Sequence, residues 1–274
     1  MIKTVFVSLI LICCTFTVSP GQVSFDRLSD NVFHINADDD KTSVKSLLIV
    51  KNNNGVLVDA MYGEYGKSIK SYLDKNDIVL EYIINTHYHG DHTQGNSNFD
   101  NTTIIAHQNT LSNIENKAQY GPEEPFDKEY WPNLLITDSL LLSFEGIEIN
   151  IFHLGKGHTN GDAIVHIPEF NLVDLGDIIL APEALPYASD PKNLISVLDA
   201  ISEKINEQTI IVTGHGALAN KSDLHALVKI MKDTIDYVQG GKDITSFPAE
   251  WNSWNSQFID MPTWLGMLTK YYKK

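Results

Sequence analysis

Thr86-His87-Tyr88-His89-Gly90-Asp91-His92 follows directly on the apolar run Val79-Leu80-Glu81-Tyr82-Ile83-Ile84, and the reading of this junction decides the fold. A run rich in β-branched and aromatic residues, ending in polar ones, reads as a buried strand. The histidines then occupy the loop at the strand's C-terminal end, where α/β folds place their chemistry. Side chains alternate along an extended backbone, so His87 and His89 project to one side with Tyr88 between them. Gly90 lets the chain turn, after which Asp91 and His92 offer a second pair of ligand atoms. One short loop could therefore hold two metals.

Further along, the same pattern of a strand handing over a glycine-bracketed polar group recurs. Residues 140–143 and 147–152 alternate around Glu145-Gly146 and read as a hairpin that delivers Gly155-Lys156-Gly157-His158-Thr159-Asn160-Gly161-Asp162. Glycines on both sides of His158 allow close backbone approach, which suits a ligand better than a packed histidine. Residues 171–174 lead to Leu175-Gly176-Asp177 and the apolar Ile178-Ile179-Leu180, where an isolated carboxylate is costly unless a cation or a donor meets it. A buried strand over 209–213 ends in Gly214-His215-Gly216. His107, at the end of a strand over 103–106, lacks close ligand-type neighbours and reads as structural or solvent-facing, while His153 and His166 lie within strands and read as packed there.

The remaining elements frame these loops. Residues 44–50 and 55–59 read as a hairpin joined by Lys51-Asn52-Asn53-Asn54 with an Asn-Gly turn signal. Asp59 closes it, either as a turn former or as a group that holds a ligand histidine in place. A short amphipathic helix over 68–75 returns the chain to the strand that feeds the histidine loop. The stretch 108–128 is polar and without clear periodicity, and Gly121-Pro122-Glu123-Glu124-Pro125 reads as an exposed loop at the border of a cleft. Leu194, Val197, Leu198, Ile201 and Ile205 mark one helix face. Leu224, Leu227, Ile230, Met231 and Ile235 mark another, stopped by Gly240-Gly241. Trp251, Trp254, Phe258, Trp264, Leu265, Leu268 and Tyr271 form an aromatic stripe that reads mainly as helix packing, with a binding groove or a dimer contact as the alternative.

Residues 1–21 carry one charge, Lys3, before an apolar or small stretch from 5 to 18 that is too short for a membrane span, and read as a secretory signal peptide cut near Gly21. A lipoprotein anchor at Cys13 or Cys14 ranks second. These are the only two cysteines, so the exported protein, periplasmic or secreted, would have neither disulfides nor thiolate ligands. Residues 22–274 suffice for one domain with a proper core, and 43% hydrophobic content suits a globule. The net charge of −15, or −16 once Lys3 is removed, is dispersed and argues against nucleic acid or anionic lipid as partner. A small-molecule substrate and no stable membrane span are the expectations. Oligomeric state leaves no trace in the sequence.

Taken together, His-x-His-x-Asp-His at 87–92, Gly-His-Thr at 157–159, Gly-Asp at 176–177 and Gly-His-Gly at 214–216 resemble the metallo-β-lactamase superfamily in order and spacing. The resemblance implies an α/β fold, a four-layer αββα sandwich with metals at one edge between the two sheets. It places His87, His89 and His158 on a first zinc and Asp91, His92 and His215 on a second, with Asp177 bridging. Two Zn2+ per chain are implied, with iron or manganese as alternatives; imidazole and carboxylate ligands suit zinc. The implied activity is hydrolysis of an ester, thioester, lactone or amide by a hydroxide shared between the metals, with Asp91 orienting it and relaying its proton.

The best-known lactamase subclass has a cysteine where this chain has Asp177. The aspartate version resembles thioesterases, lactonases and related hydrolases, among them the hydroxyacylglutathione hydrolases. Some lactamases also lack the cysteine, so lactam hydrolysis is the runner-up. A single-iron redox enzyme of the same fold and a non-catalytic binding module complete the alternatives.

Overall fold

The computed structural model describes residues 21–37, 43–123, 126–188 and 190–272. The signal-peptide reading and the cysteines fall outside them, apart from Gly21, as do Glu124 and Pro125 of the cleft loop.

Two mixed sheets lie face to face. The first contains β1 (Ser24–Arg27), β2 (Val32–Asn36), β3 (Lys45–Lys51), β4 (Asn54–Val58), β5 (Val79–Ile84), β6 (Thr103–His107) and β7 (Leu134–Ile136), in sequence order across the sheet. β1 to β4 are antiparallel, whereas β4 to β7 run parallel. The second sheet contains β8 (Ser139–Phe144), β9 (Ile147–Phe152), β10 (Ile164–Ile167), β11 (Leu172–Asp174) and β12 (Ile210–Val212), again in sequence order across the sheet, with only the β11–β12 pair parallel. The helices are α1 (Gly63–Lys75), α2 (Gly90–Thr93), α3 (Gln108–Glu115), α4 (Pro191–Lys204), α5 (Lys221–Gln239) and α6 (Met261–Tyr272).

Strand alternation explains why the molecule has four layers. Successive residues of a strand face opposite ways, and here both faces are apolar, so each sheet needs a cover on each side. Leu47, Ile49, Val56, Val58, Ile84 and Ile105 of the first sheet meet Ile149, Ile151, Val165, Ile167, Leu172 and Val212 of the second. Their neighbours Leu48, Leu57, Ile83 and Ile104 point outward onto Tyr65, Ile69 and Leu73 of α1. On the other side Ile164, Val173 and Ile211 pack against α4, α5 and α6 through residues such as Leu194, Leu198, Leu227, Met231 and Trp264. The expected αββα sandwich is therefore the observed fold.

Four local expectations need correction. The first hairpin turns at Asn52-Asn53, both left-handed (φ 52° and 63°), while Gly55 lies inside β4. A two-residue turn of this kind matches the strand twist, and asparagine tolerates it well enough that Asn54-Gly55 was not needed. The helix expected over 68–75 begins five residues earlier, at Gly63, with Tyr65 adding to its buried face. The polar stretch 108–128 contains α3, which the His107 imidazole caps by accepting the Asn109 N–H at 3.2 Å. His107 stacks on His153 at 4.1 Å between ring centroids, so both are structural, and His153 lies just past β9 rather than within it.

Candidate metal centre

Every loop that the sequence singled out reaches the same edge of the sandwich. β5 delivers residues 85–92, β9 leads to the loop that carries His158, β11 is followed by Asp177, and β12 by His215. One nitrogen or carboxylate oxygen from each of His87, His89, His158 and Asp177 lie within 4.8 Å of one another, and the same holds for Asp91, His92 and His215. Asp177 faces both groups. Its Oδ1 is 3.3 Å from His92 Nε2, and its Oδ2 is 3.3 Å from His215 Nε2, 3.5 Å from His158 Nε2 and 3.8 Å from His87 Nε2. Asp91 Oδ2 stands 3.3 Å from His215 Nε2 and 3.7 Å from His92 Nε2.

The rings are held from behind. His92 Nδ1 lies 2.7 Å from Asp59 Oδ2, His158 Nδ1 2.8 Å from the Tyr187 carbonyl, and His87 Nδ1 3.0 Å from Thr86 Oγ1. Ser43 Oγ approaches His215 Nδ1 at 3.4 Å. His89 presents Nδ1 instead, 3.1 Å from His158 Nε2. Asp59 also accepts the Thr86 N–H at 2.8 Å and the Thr86 hydroxyl at 2.7 Å, in a left-handed conformation (φ 60°) that aspartate tolerates. Both readings of Asp59 thus apply, since it turns the chain and orients a histidine. Because such outer contacts set ring orientation and basicity, Asp59→Asn is expected to weaken zinc binding about 10–100-fold, measured by competition with a chromogenic chelator.

Asp162 was not anticipated. Its carboxylate accepts the Gly157 N–H at 3.0 Å, the Thr159 N–H at 2.9 Å and the Thr159 hydroxyl at 2.5 Å, which folds the loop around His158. The spacing Thr159-x-x-Asp162 is the signal that could have revealed it. The cleft above the centre, about 430 Å³, is lined by Tyr62, Tyr120, Tyr187 and Phe258 as well as by Asp91, His158 and His215. Of the C-terminal aromatic stripe, Phe258 reaches this cleft, while Trp251 and Trp264 pack in the core. Gly121 and Glu123 place the loop after α3 at the cleft border.

Do these residues suit a metal? Buried polar atoms normally find partners. Here the Nε2 atoms of His87, His92 and His215 and Oδ1 of Asp177 are buried without any hydrogen bond, and all of them face the same small volume. Cations between them would satisfy these atoms, and the nitrogen and oxygen donor set is one that zinc accepts.

The electrostatics point the same way. Burial pushes His87 well below its ordinary pKa, reinforced by His92 and His89, and burial with His158 beside it brings His89 down to about 3. Both rings therefore remain neutral and keep a lone pair for a ligand. His92 behaves oppositely: burial disfavours its charge, but Asp177, Asp91 and Asp59 outweigh this and hold it well above the usual value. Burial would raise the Asp177 carboxyl, but His215 and His92 hold it well below the usual carboxylate range.

A cation arriving at His92 must expel its proton, so zinc affinity should rise with pH up to the raised pKa. Calorimetric zinc titrations at pH 7 in buffers of different ionisation enthalpy should show about one proton released that His92→Ala does not release.

An αββα sandwich with a buried histidine and aspartate metal-binding cluster at one edge defines a class of metal-dependent hydrolases. The chain belongs to the metallo-β-lactamase superfamily, whose family model matches residues 39–261. It is similar to the metallo-beta-lactamase type 2 of Bacillus sp. (strain 170), with 25% identity over 231 residues covering 77% of this chain and 83% of that one. A hydroxyacylglutathione hydrolase of Pelagibacter ubique is 29% identical over 120 residues, 42% of this chain and 43% of that protein. Among solved structures, a metallo-beta-lactamase from Pontibacter korlensis superimposes with a TM-score of 0.65 at 16% identity, over 77% of this chain and all (100%) of that one. The DIM-1 metallo-beta-lactamase does so with a TM-score of 0.63 at 17% identity, over 77% of this chain and 98% of that one. The chain is accordingly a metal-dependent hydrolase. No helix among the described residues is long and apolar enough to cross a membrane.

Proposed function

We propose that this chain is an exported dinuclear zinc hydrolase that cleaves an ester, thioester, lactone or amide bond of a small molecule. The observation that carries the proposal is the set of unpartnered buried atoms on His87, His92, His215 and Asp177 that converge on one volume. In this reading His87, His89 and His158 would hold one ion and Asp91, His92 and His215 the other, with Asp177 facing both groups. Two zinc ions held by these residues would supply Lewis-acid charge to acidify a water and polarise a carbonyl.

The chain's own residues do the rest. Asp91 is 17% exposed on its side chain and lines the cleft, so its carboxylate can orient a water, take its proton and return it to the leaving group. Asp59, Thr86 and the Tyr187 carbonyl fix the imidazoles, so little reorganisation is needed as charge develops. Glycine-bracketed loops at three strand ends let these groups approach one another. Export rests on the N-terminal sequence alone, through the signal-peptide reading of residues 1–21, and residues 22–274 are taken as one domain.

The test is metal analysis of purified protein together with a panel of esters, thioesters, lactones and lactams, each run with a chelator control. Two zinc per chain and chelator-sensitive turnover support the reading. One iron per chain with oxygen consumption overturns it. Lactam hydrolysis is the second reading, favoured by the similarity to enzymes named metallo-beta-lactamase type 2.

A further inference from the structure

The cleft above the centre is ringed by aromatic side chains, and among the described residues its lining includes no lysine or arginine. Eight large hydrophobic side chains are exposed among the described residues, and four of them, Tyr62, Tyr120, Tyr187 and Phe258, line this one cavity. They arrive from four separate segments, before α1, after α3, before α4 and before α6. Their rings stand against the histidines of the centre: Tyr120 is 5.6 Å from His89, Tyr187 6.1 Å from His158, and Phe258 4.9 Å from His215, between centroids. Leu180 extends the apolar wall. Exposed hydrophobics scattered singly need no explanation, but a cluster at the mouth of a reactive pocket marks a recognition surface.

Histidines apart, the charged groups that line this cleft among the described residues are acidic: Asp91 and Asp177 at the centre and Glu123 on the rim. Lys156 borders only a neighbouring groove of about 350 Å³, in which Tyr120 and Tyr187 also take part. A substrate whose reacting carbonyl is engaged at the centre must lay the rest of itself against the aromatic wall. A carboxylate on that part would lose water and find no lysine or arginine among the described lining residues to replace it, which is costly. An uncharged ring or alkyl chain would gain from burial and from edge-to-face contact.

We propose that the cleft selects uncharged substrates by an aromatic or aliphatic body, neutral esters or lactones, and discriminates against those that carry a carboxylate on that body. The proposal rests on the hydrolase reading above and narrows it, weighing against carboxylated lactams.

The test compares 4-nitrophenyl 3-phenylpropanoate with its para-carboxylate on the acyl ring, a pair with one leaving group and closely similar intrinsic reactivity, on zinc-loaded protein. The neutral ester should have at least a tenfold higher kcat/KM, and Glu123→Lys should reduce that ratio at least fivefold. Tyr120→Ala and Phe258→Ala should raise KM for the neutral ester more than they lower kcat. Equal or faster turnover of the carboxylated ester overturns the proposal. If neither ester is turned over, the hydrolytic reading is what fails for esters. Ligand-observed NMR of 4-phenylbutan-2-one and its para-carboxylate then decides the recognition surface separately: at least fivefold tighter binding of the neutral ketone supports it, and equal binding overturns it.

Discussion

Asp177→Ala is expected to lower kcat/KM by about 1000-fold or more, equivalent to ~4 kcal/mol of transition-state stabilisation, while the chain still folds. Asp177 is buried and placed between the two histidine groups, with its oxygens 3.3 to 3.8 Å from the Nε2 atoms of His87, His92, His158 and His215. Its carboxylate is the group best placed to be shared by two cations in the proposed site, where its charge would reduce their mutual repulsion. Without it, each proposed ion loses an anionic ligand, and zinc content should fall below two per chain. Its close polar contacts are with these histidines, so the circular dichroism spectrum of the metal-free variant should match that of the parent. Full activity with two bound zinc ions would refute the assignment.

Gly214→Ala should have a comparable effect by a different route. A Cβ built on Gly214 overlaps Asp177 Oδ1 and comes within 3.0 Å of Asp177 Cγ and 3.1 Å of the Gly176 carbonyl carbon. The backbone has no easy retreat, because the Gly214 N–H donates to the Ile179 carbonyl at 3.1 Å and its own carbonyl accepts the Lys45 N–H at 2.8 Å. The carboxylate must swing away instead. Displacing a reactive group by about an ångström can cost about 100-fold, and a loss of at least that size in kcat/KM is expected here, with zinc content reduced in parallel. Gly266→Ala is the control: nothing lies within 4 Å of its Cβ position, inside α6, so it should leave activity unchanged and raise the unfolding free energy by about 0.5–1 kcal/mol. Equal behaviour of the two variants would contradict the steric argument.

The contrast between these glycines shows what the sequence could convey. His87, His89, His158 and His215 were legible because each sits at or just past a strand end, next to the glycines that let ligand loops crowd together. Asp177 stood out because a lone carboxylate among Leu175, Ile178, Ile179 and Leu180 has few other uses. The layered fold was legible only through the family resemblance that the motifs carry, the strand runs alone giving no layer arrangement, and the structural neighbours agree with it. Element starts were less legible. The first turn of α1 holds Gly63 and Gly66, poor helix formers, and α3 depends on a histidine cap that propensity does not anticipate. The aromatic cleft lining could not be read at all, since Tyr62, Tyr120, Tyr187 and Phe258 are far apart in sequence and share only a location in space. Asp162 was hidden for another reason: it touches the loop that carries a histidine, not the centre itself.

The division of the converging side chains between the two sheets has a further implication. Residues 87–92 hang from the first sheet, and 158, 177 and 215 from the second, with the Lys45 N–H to Gly214 carbonyl bond tying their rims together. Neither half owns a complete coordination sphere, so ions captured there would work as a rivet through the seam. Cation uptake would then report docking of the halves, and scavenging the ions would loosen the seam before either sheet frays.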